Sequence, residues 1–160
     1  CFADPTPGHT IDHLCLYAPE NGVLLAGDHV LPTITPHIAG SSEIEDPLAT
    51  FFASLDKVAA LPGLTCALPA HGHPFEDLAG RCDHIRVHHD ERLQLLRDAA
   101  DDNHDAPVDA WMKVLFKERS WGEMAASETY AHLEHLRVIG EASTRHDDDG
   151  LLRFTLPTAS

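Results

Sequence analysis

Two short apolar runs joined by a tight turn constrain the fold of this chain more than any other feature. Residues 13–17 (HLCLY) and residues 23–26 (VLLA) flank residues 19–22 (PENG). An Asn-Gly pair supplies the positive φ angles that a short hairpin turn requires. Runs that are continuously apolar, rather than alternating, indicate strands covered on both faces of a sheet. We therefore expect a hairpin within a layered α/β fold.

Helix and strand signals alternate after the hairpin. Asp46 is predicted to cap a helix with Pro47 at its first position, and apolar spacing continues that helix over residues 48–58. Residues 65–68 form another short apolar run, and a long helix is expected over about residues 76–100. The inner face of the long helix is marked by Leu78, Cys82, Ile85, His89, Leu93 and Leu96.

The last third of the chain has a different pattern. Two helices are expected over about residues 108–118 and 124–139, followed by short strands over about residues 141–145 and 151–156. Two helices and a hairpin form the outline of a winged helix-turn-helix. This region is therefore predicted to be a small α+β winged helix.

A polar, acidic segment at residues 101–107 marks the predicted boundary between the two patterns. We expect two domains, residues 1–101 and residues 102–160. The turn of the wing would face phosphate in a DNA complex, yet residues 147–149 are three consecutive aspartates. DNA binding by this domain is therefore not expected.

The composition limits the possible partners. The 160 residues carry a net charge of −15 with all 13 histidines neutral, and an acidic chain repels nucleic acid phosphates. No apolar run approaches the roughly 18 residues that a membrane-spanning helix needs. The four cysteines lack CxxC spacing, which fits a reducing cytoplasm. The chain shows no signal-peptide pattern. It opens on Cys1 rather than Met, so we expect a cytoplasmic fragment or processed product.

Three polar segments follow the short apolar runs, where strands are expected to end. They are residues 6–10 (TPGHT), residues 27–32 (GDHVLP) and residues 68–72 (LPAHG). Imidazole and carboxylate groups are preferred ligands of zinc and similar divalent ions. These segments contain the candidate ligands His9, Asp28 and His71.

The three segments, in this order and at these intervals, resemble the C-terminal half of a metallo-β-lactamase-superfamily hydrolase. The tail resembles the winged-helix domain of one branch of that superfamily, which includes glyoxalase II-like proteins and lactamase-like endoribonucleases. The resemblance implies half of an αββα sandwich followed by the winged helix. It covers nearly the whole chain.

The resemblance also implies a role for each motif residue. His9 corresponds to the third ligand of the first metal, and His71 corresponds to the last ligand of the second metal. Asp28 corresponds to the carboxylate that bridges both metals, which makes it the predicted catalytic residue. Two zinc ions held in this way would lower the pKa of a shared water to about 7.

The family's HxHxDH motif, which supplies four further ligands, is absent from these 160 residues. The chain is therefore expected to be inactive alone. We expect either self-association or binding of the missing N-terminal half, because half a sandwich exposes an apolar sheet edge and face.

Other histidines have secondary expected roles. His29 and His13 are predicted to support the site or its substrate loop. His73, two residues after His71, is an alternative metal partner because HxH in an extended chain points both rings the same way. Two helical pairs, His84 with His88 and His132 with His135, are expected on solvated helix faces.

The predicted function is a dinuclear zinc hydrolase that acts on a small ester or thioester substrate. A nuclease that cleaves RNA phosphodiesters is the alternative within the same fold. A non-catalytic assembly or interaction module is the alternative outside the enzymes, since the HxHxDH half-site is missing.

Overall fold

The computed structural model describes residues 2–40 and 44–158, and packing divides them into two units. The first contains the residues before Ala39 and those from Ile44 to His88. The second contains Ala39, Gly40 and the residues from His89 onward. One long helix runs through this division, so the predicted domain boundary between residues 101 and 102 stays a prediction.

A four-stranded sheet organises the first unit. Strands β1 (Phe2–Pro5), β2 (Leu14–Ala18), β3 (Val23–Gly27) and β4 (Cys66–Pro69) lie side by side in that order. The first three are antiparallel, whereas β4 runs parallel to β3. The predicted hairpin is confirmed, and Gly22 in its turn has a φ of 65°.

Helix α1 (Pro47–Ala59) connects β3 to β4, as a parallel pair requires a crossover. The predicted cap is confirmed, because the Asp46 carboxylate accepts a hydrogen bond of 2.9 Å from the Ala49 backbone N–H. Helix α2 (Leu78–Asp98) follows β4. Within the first unit, Phe51 and Leu55 of α1 are buried in its core.

The sheet of the first unit has one buried and one open face. Cys15 and Leu24 point to the buried face, and both are fully buried. On the opposite face Leu14, Leu16 and Leu25 are 53%, 37% and 46% exposed. The apolar runs predicted a sheet that is packed on both faces. Within residues 2–40 and 44–88 only one face is packed, and the other is open. We call Leu14, Leu16 and Leu25 the leucine face.

The second unit combines helices with a small antiparallel sheet. Its core contains Trp111, Leu133, Leu136 and Phe154, all fully buried. The order of elements matches the predicted helix, helix and hairpin, while the winged-helix assignment stays a prediction. After the end of α2 the elements are β5 (Ala106–Pro107), α3 (Val108–Leu115), a 3-10 turn (Glu118–Ser120), α4 (Glu123–Val138), β6 (Ser143–His146) and β7 (Leu152–Thr155), with sheet order β5-β7-β6.

One expectation about the histidines is wrong. His132 was expected on a solvated face, but it is fully buried in the second unit. It belongs to a buried stripe of α4 that also contains Thr129, Leu133 and Leu136, at three- and four-residue spacing. His84, by contrast, is exposed as expected.

Among the described residues, no helix combines the length and the apolar character needed to cross a membrane.

Two neighbouring leucines of β3 test this description of the sheet. Leu24→Ala removes a fully buried side chain, so it is expected to lower the free energy of unfolding by about 2–5 kcal/mol. Leu25→Ala is the matched control, because its side chain is 46% exposed, and it should cost less than about 1 kcal/mol. Urea denaturation followed by circular dichroism measures both. Equal losses in the two variants would contradict the assignment of buried and open faces.

Candidate metal centre

His9 lies in the loop after β1, with its ring orientation fixed by a backbone carbonyl. Its Nδ1 donates a 2.8 Å hydrogen bond to the carbonyl oxygen of His37. Because a carbonyl oxygen only accepts, Nδ1 carries the proton and Nε2 keeps its lone pair. This is the arrangement in which a histidine binds a metal ion through Nε2.

The loop around His9 approaches α1 closely. Gly8 has a φ of 138°, and a Cβ at this position would lie 2.5 Å from the Cβ of Phe51. Any side chain here would clash with the helix and strain the backbone. Ser54 of α1 also donates a 2.8 Å hydrogen bond to the carbonyl of Pro7. Packing against α1 therefore sets the position of His9.

Asp28 and His71 meet because they follow neighbouring parallel strands. The Ala70 backbone N–H donates a 2.8 Å hydrogen bond to the Gly27 carbonyl, which joins the two loops directly after β3 and β4. His71 Nε2 consequently lies 3.5 Å from Asp28 Oδ1. The carboxyl ends of adjacent parallel strands commonly form such sites.

The Asp28 carboxylate has an unsatisfied oxygen. Among the described residues, Oδ1 is buried and has no hydrogen-bond partner. A buried carboxylate oxygen without a partner is costly, and a bound cation removes that cost. This oxygen, 3.5 Å from His71 Nε2, gives the Asp28 and His71 pair a donor set that suits a divalent metal ion. His9 does not complete a group with them in which all three donor atoms lie within 4.8 Å of one another.

His13 and His29 lie beside these groups. The His13 ring centroid is 6.4 Å from that of His9 and 5.8 Å from that of His29. Thr6 holds His13 through a 2.8 Å contact between Oγ1 and Nδ1. On the other side of His13, a Cβ on Gly27 would lie 2.7 Å from Nε2, so only glycine fits there.

Both supporting rings favour their neutral form. Burial lowers the pKa of His13, and the neighbouring His9 lowers it further, while Asp28 raises it. Burial also lowers the pKa of the fully buried His29 to about 4. His13 and His29, close to His9, are therefore uncharged near neutral pH.

His73 is exposed, as is the His71 side chain. Residues 71–73 lie after the end of β4 rather than in an extended strand. His71 and His73 therefore lie outside the extended strand that would point both imidazoles the same way.

A second group of metal-ligating side chains lies in the second unit. Among the described residues, His89, Glu128 and His132 form the one set of at least three donors whose ligand atoms all lie within 4.8 Å of one another. Sequence reasoning placed His89 in the core, expected His132 in solvent and did not single out Glu128. The buried stripe of α4 was the signal that would have identified His132.

Comparisons with known proteins agree with the motifs. A family model described as the metallo-beta-lactamase superfamily matches residues 3–101. The lactamase-like protein vrtG of Penicillium aethiopicum is 41% identical over 86 residues, 54% of this chain and 25% of that protein. The lactamase-like protein adaB of Aspergillus niger is 38% identical over 91 residues, 56% of this chain and 26% of that protein.

Solved structures resemble nearly the whole chain. A metallo-beta-lactamase family protein from Thermus thermophilus has a TM-score of 0.85 and 33% identity, over 97% of this chain and 48% of that one. A beta-lactamase domain protein from Burkholderia ambifaria has a TM-score of 0.87 and 30% identity, over 97% of this chain and 47% of that one.

The aligned region thus spans about a quarter of these curated relatives and about half of the two solved structures. The fold is mixed α/β, as in those neighbours. Because the family model matches more than half of the 160 residues, this chain belongs to the metallo-β-lactamase superfamily, a group of metal-dependent proteins with a hydrolase-like fold.

Proposed function

We propose that this chain supplies the C-terminal half-site of a dinuclear zinc hydrolase that cleaves an ester-type bond, with a thioester as the favoured substrate class. His9, Asp28 and His71 are its metal ligands. The observation that carries the proposal is the buried Oδ1 of Asp28, which has no hydrogen-bond partner among the described residues and lies 3.5 Å from His71 Nε2.

Each residue has a separate task in this proposal. Asp28 would help to hold the ions through its carboxylate, and its negative charge would offset repulsion between two cations. His9 offers Nε2, because its Nδ1 is bonded to the His37 carbonyl. When bound, a pair of zinc ions supplies Lewis-acid activation of the carbonyl and of the attacking water.

The supporting histidines favour the same site. Their lowered pKa values keep His13 and His29 neutral at pH 7, so they add no positive charge beside the cations. Thr6 and Gly27 enclose His13 on two sides. We infer that His13 supports the ligand loops and that His29 packs beneath them.

The remaining four ligands belong, in this proposal, to an HxHxDH segment outside these 160 residues. The leucine face is the surface on which that part of the domain packs. Its occupant is the N-terminal half of the sandwich, since the two solved structures contain about as much chain again beyond the aligned half. Alone, the chain therefore has an incomplete site and an open apolar face.

We also infer that residues 102–160 are a winged-helix accessory domain that serves packing rather than nucleic acid binding. Arg145 forms a bidentate ion pair with Asp105. Arg153 donates a 2.9 Å hydrogen bond to Asp147 in the turn of the wing. These guanidinium groups are engaged by carboxylates, and this favours an ester substrate over RNA.

Zinc retention tests the ligand assignment. Asp28→Ala is expected to weaken zinc binding at the proposed hydrolase site at least about tenfold, because it removes the only anionic ligand that these 160 residues are proposed to supply there. Asp83→Ala is the matched control, since Asp83 is an exposed carboxylate on α2. Elemental analysis after dialysis, together with calorimetric titration, measures the difference. Identical zinc binding by the two variants would show that Asp28 is not a zinc ligand.

Turnover tests the reaction itself. The 160-residue chain is expected to hydrolyse a thioester no faster than its Asp28→Ala variant, because four of the seven proposed ligands are missing. The same chain extended by its own upstream HxHxDH-containing region should gain zinc-dependent turnover, and Asp28→Ala in that longer chain should lose at least about a hundredfold. Release of free thiol measures both. Zinc-dependent turnover by the short chain alone would refute the half-site proposal.

Association tests the leucine face. The isolated chain is expected to self-associate and to bind an apolar dye, because three leucines lie exposed on one sheet face. Leu16→Lys combined with Leu25→Lys should restore a monomer, whereas Val87→Lys, at an exposed position of α2, should not. Light scattering gives the mass. A monodisperse monomer of the unaltered chain without dye binding would contradict the proposal.

A further inference from the structure

We propose that His89, Glu128 and His132 form a second metal site that binds a divalent transition-metal ion such as zinc. This site joins α2 to α4 inside the second unit. It is separate from His9, Asp28 and His71, and it does not depend on the function proposed above.

The spacing of the two imidazoles suits a shared ion. His89 Nδ1 lies 3.0 Å from His132 Nε2. Two nitrogens bound to one ion at about 2.0–2.1 Å, with bond angles of about 90–109°, lie about 2.8–3.4 Å apart. The nitrogens therefore already have the separation of two ligands. Both histidine side chains are fully buried.

The tautomer of His132 is set by its own helix. Its Nδ1 donates a 2.7 Å hydrogen bond to the backbone carbonyl of Glu128, one turn earlier in α4. Because that carbonyl only accepts, Nε2 carries the lone pair, and this lone pair faces His89. A backbone carbonyl that orients a metal-binding imidazole in this way is a recurrent feature of metal sites.

Glu128 supplies the third donor. It lies four residues before His132 and therefore on the same face of α4. Its carboxylate comes within 4.8 Å of the donor nitrogens of both histidines. Two imidazoles and one carboxylate form a ligand set that zinc accepts, with water completing the coordination.

Arg92 limits how tightly the ion binds. Its Nη1 lies 3.2 Å from Glu128 Oε1, and its guanidinium stacks 4.4 Å from the centre of the Phe116 ring. The guanidinium competes with the ion for one carboxylate and repels it. Removing the Arg92 charge should therefore strengthen ion binding, a result that a plain hydrogen bond between two histidines does not predict.

The test uses Co²⁺ as the probe, in an Asp28→Ala background that disables the first site. This variant is expected to bind one ion per chain with visible absorption bands of histidine-coordinated cobalt. Glu128→Gln and His132→Gln, each added to that background, should weaken binding at least tenfold. His84→Gln is the matched control because His84 is an exposed histidine of α2. Glu128→Gln keeps the side-chain shape and the histidine pair, so it remains informative if His132→Gln fails to fold.

A third change separates the ion from a structural histidine pair. Arg92→Gln in the Asp28→Ala background should tighten cobalt binding several-fold. Equal affinity in the Asp28→Ala protein with and without Glu128→Gln, or no change on Arg92→Gln, overturns the second site. If the proposed hydrolase site is wrong instead, Asp28→Ala would leave cobalt binding unchanged in a Glu128→Gln background. The two failures are therefore distinguishable.

Discussion

The parallel pairing of β3 with β4 is the constraint on which the first unit depends. Two parallel strands bring their carboxyl ends to one edge of the sheet, and the bond from the Ala70 N–H to the Gly27 carbonyl extends that pairing into the loops. Asp28 and His71 are therefore neighbours although 42 residues of chain separate them in sequence. Helix α1, which makes the crossover, also packs against Gly8 and so places His9.

Much of this arrangement was predictable from local patterns. The Asn-Gly turn, the Asp46-Pro47 cap and the periodic helices are short-range signals, and the corresponding elements are present. The order of the three motif segments predicted the family, which the family model shows. The identity of His9, Asp28 and His71 as ligands stays a prediction that rests on this resemblance and on the geometry around Asp28.

Other features were not predictable because they depend on contacts between distant segments. A continuous apolar run such as residues 14–17 does not reveal which sheet face is covered, since that depends on the layer packed against it. The setting of His132 depends on α2, where His89 lies 43 residues earlier. His132 was expected in solvent because its side chain is polar. Its burial follows instead from its position in the buried stripe of α4, at three- and four-residue spacing.

The leucine face has a consequence for the lifetime of the chain in a cell. Quality-control proteases and holdase chaperones recognise apolar sheet surfaces that a finished domain would bury. Copies in which Leu14, Leu16 and Leu25 stay uncovered would accordingly be removed or held back from use. Covering these three leucines would then be the step that completes folding of the sheet and protects it from degradation.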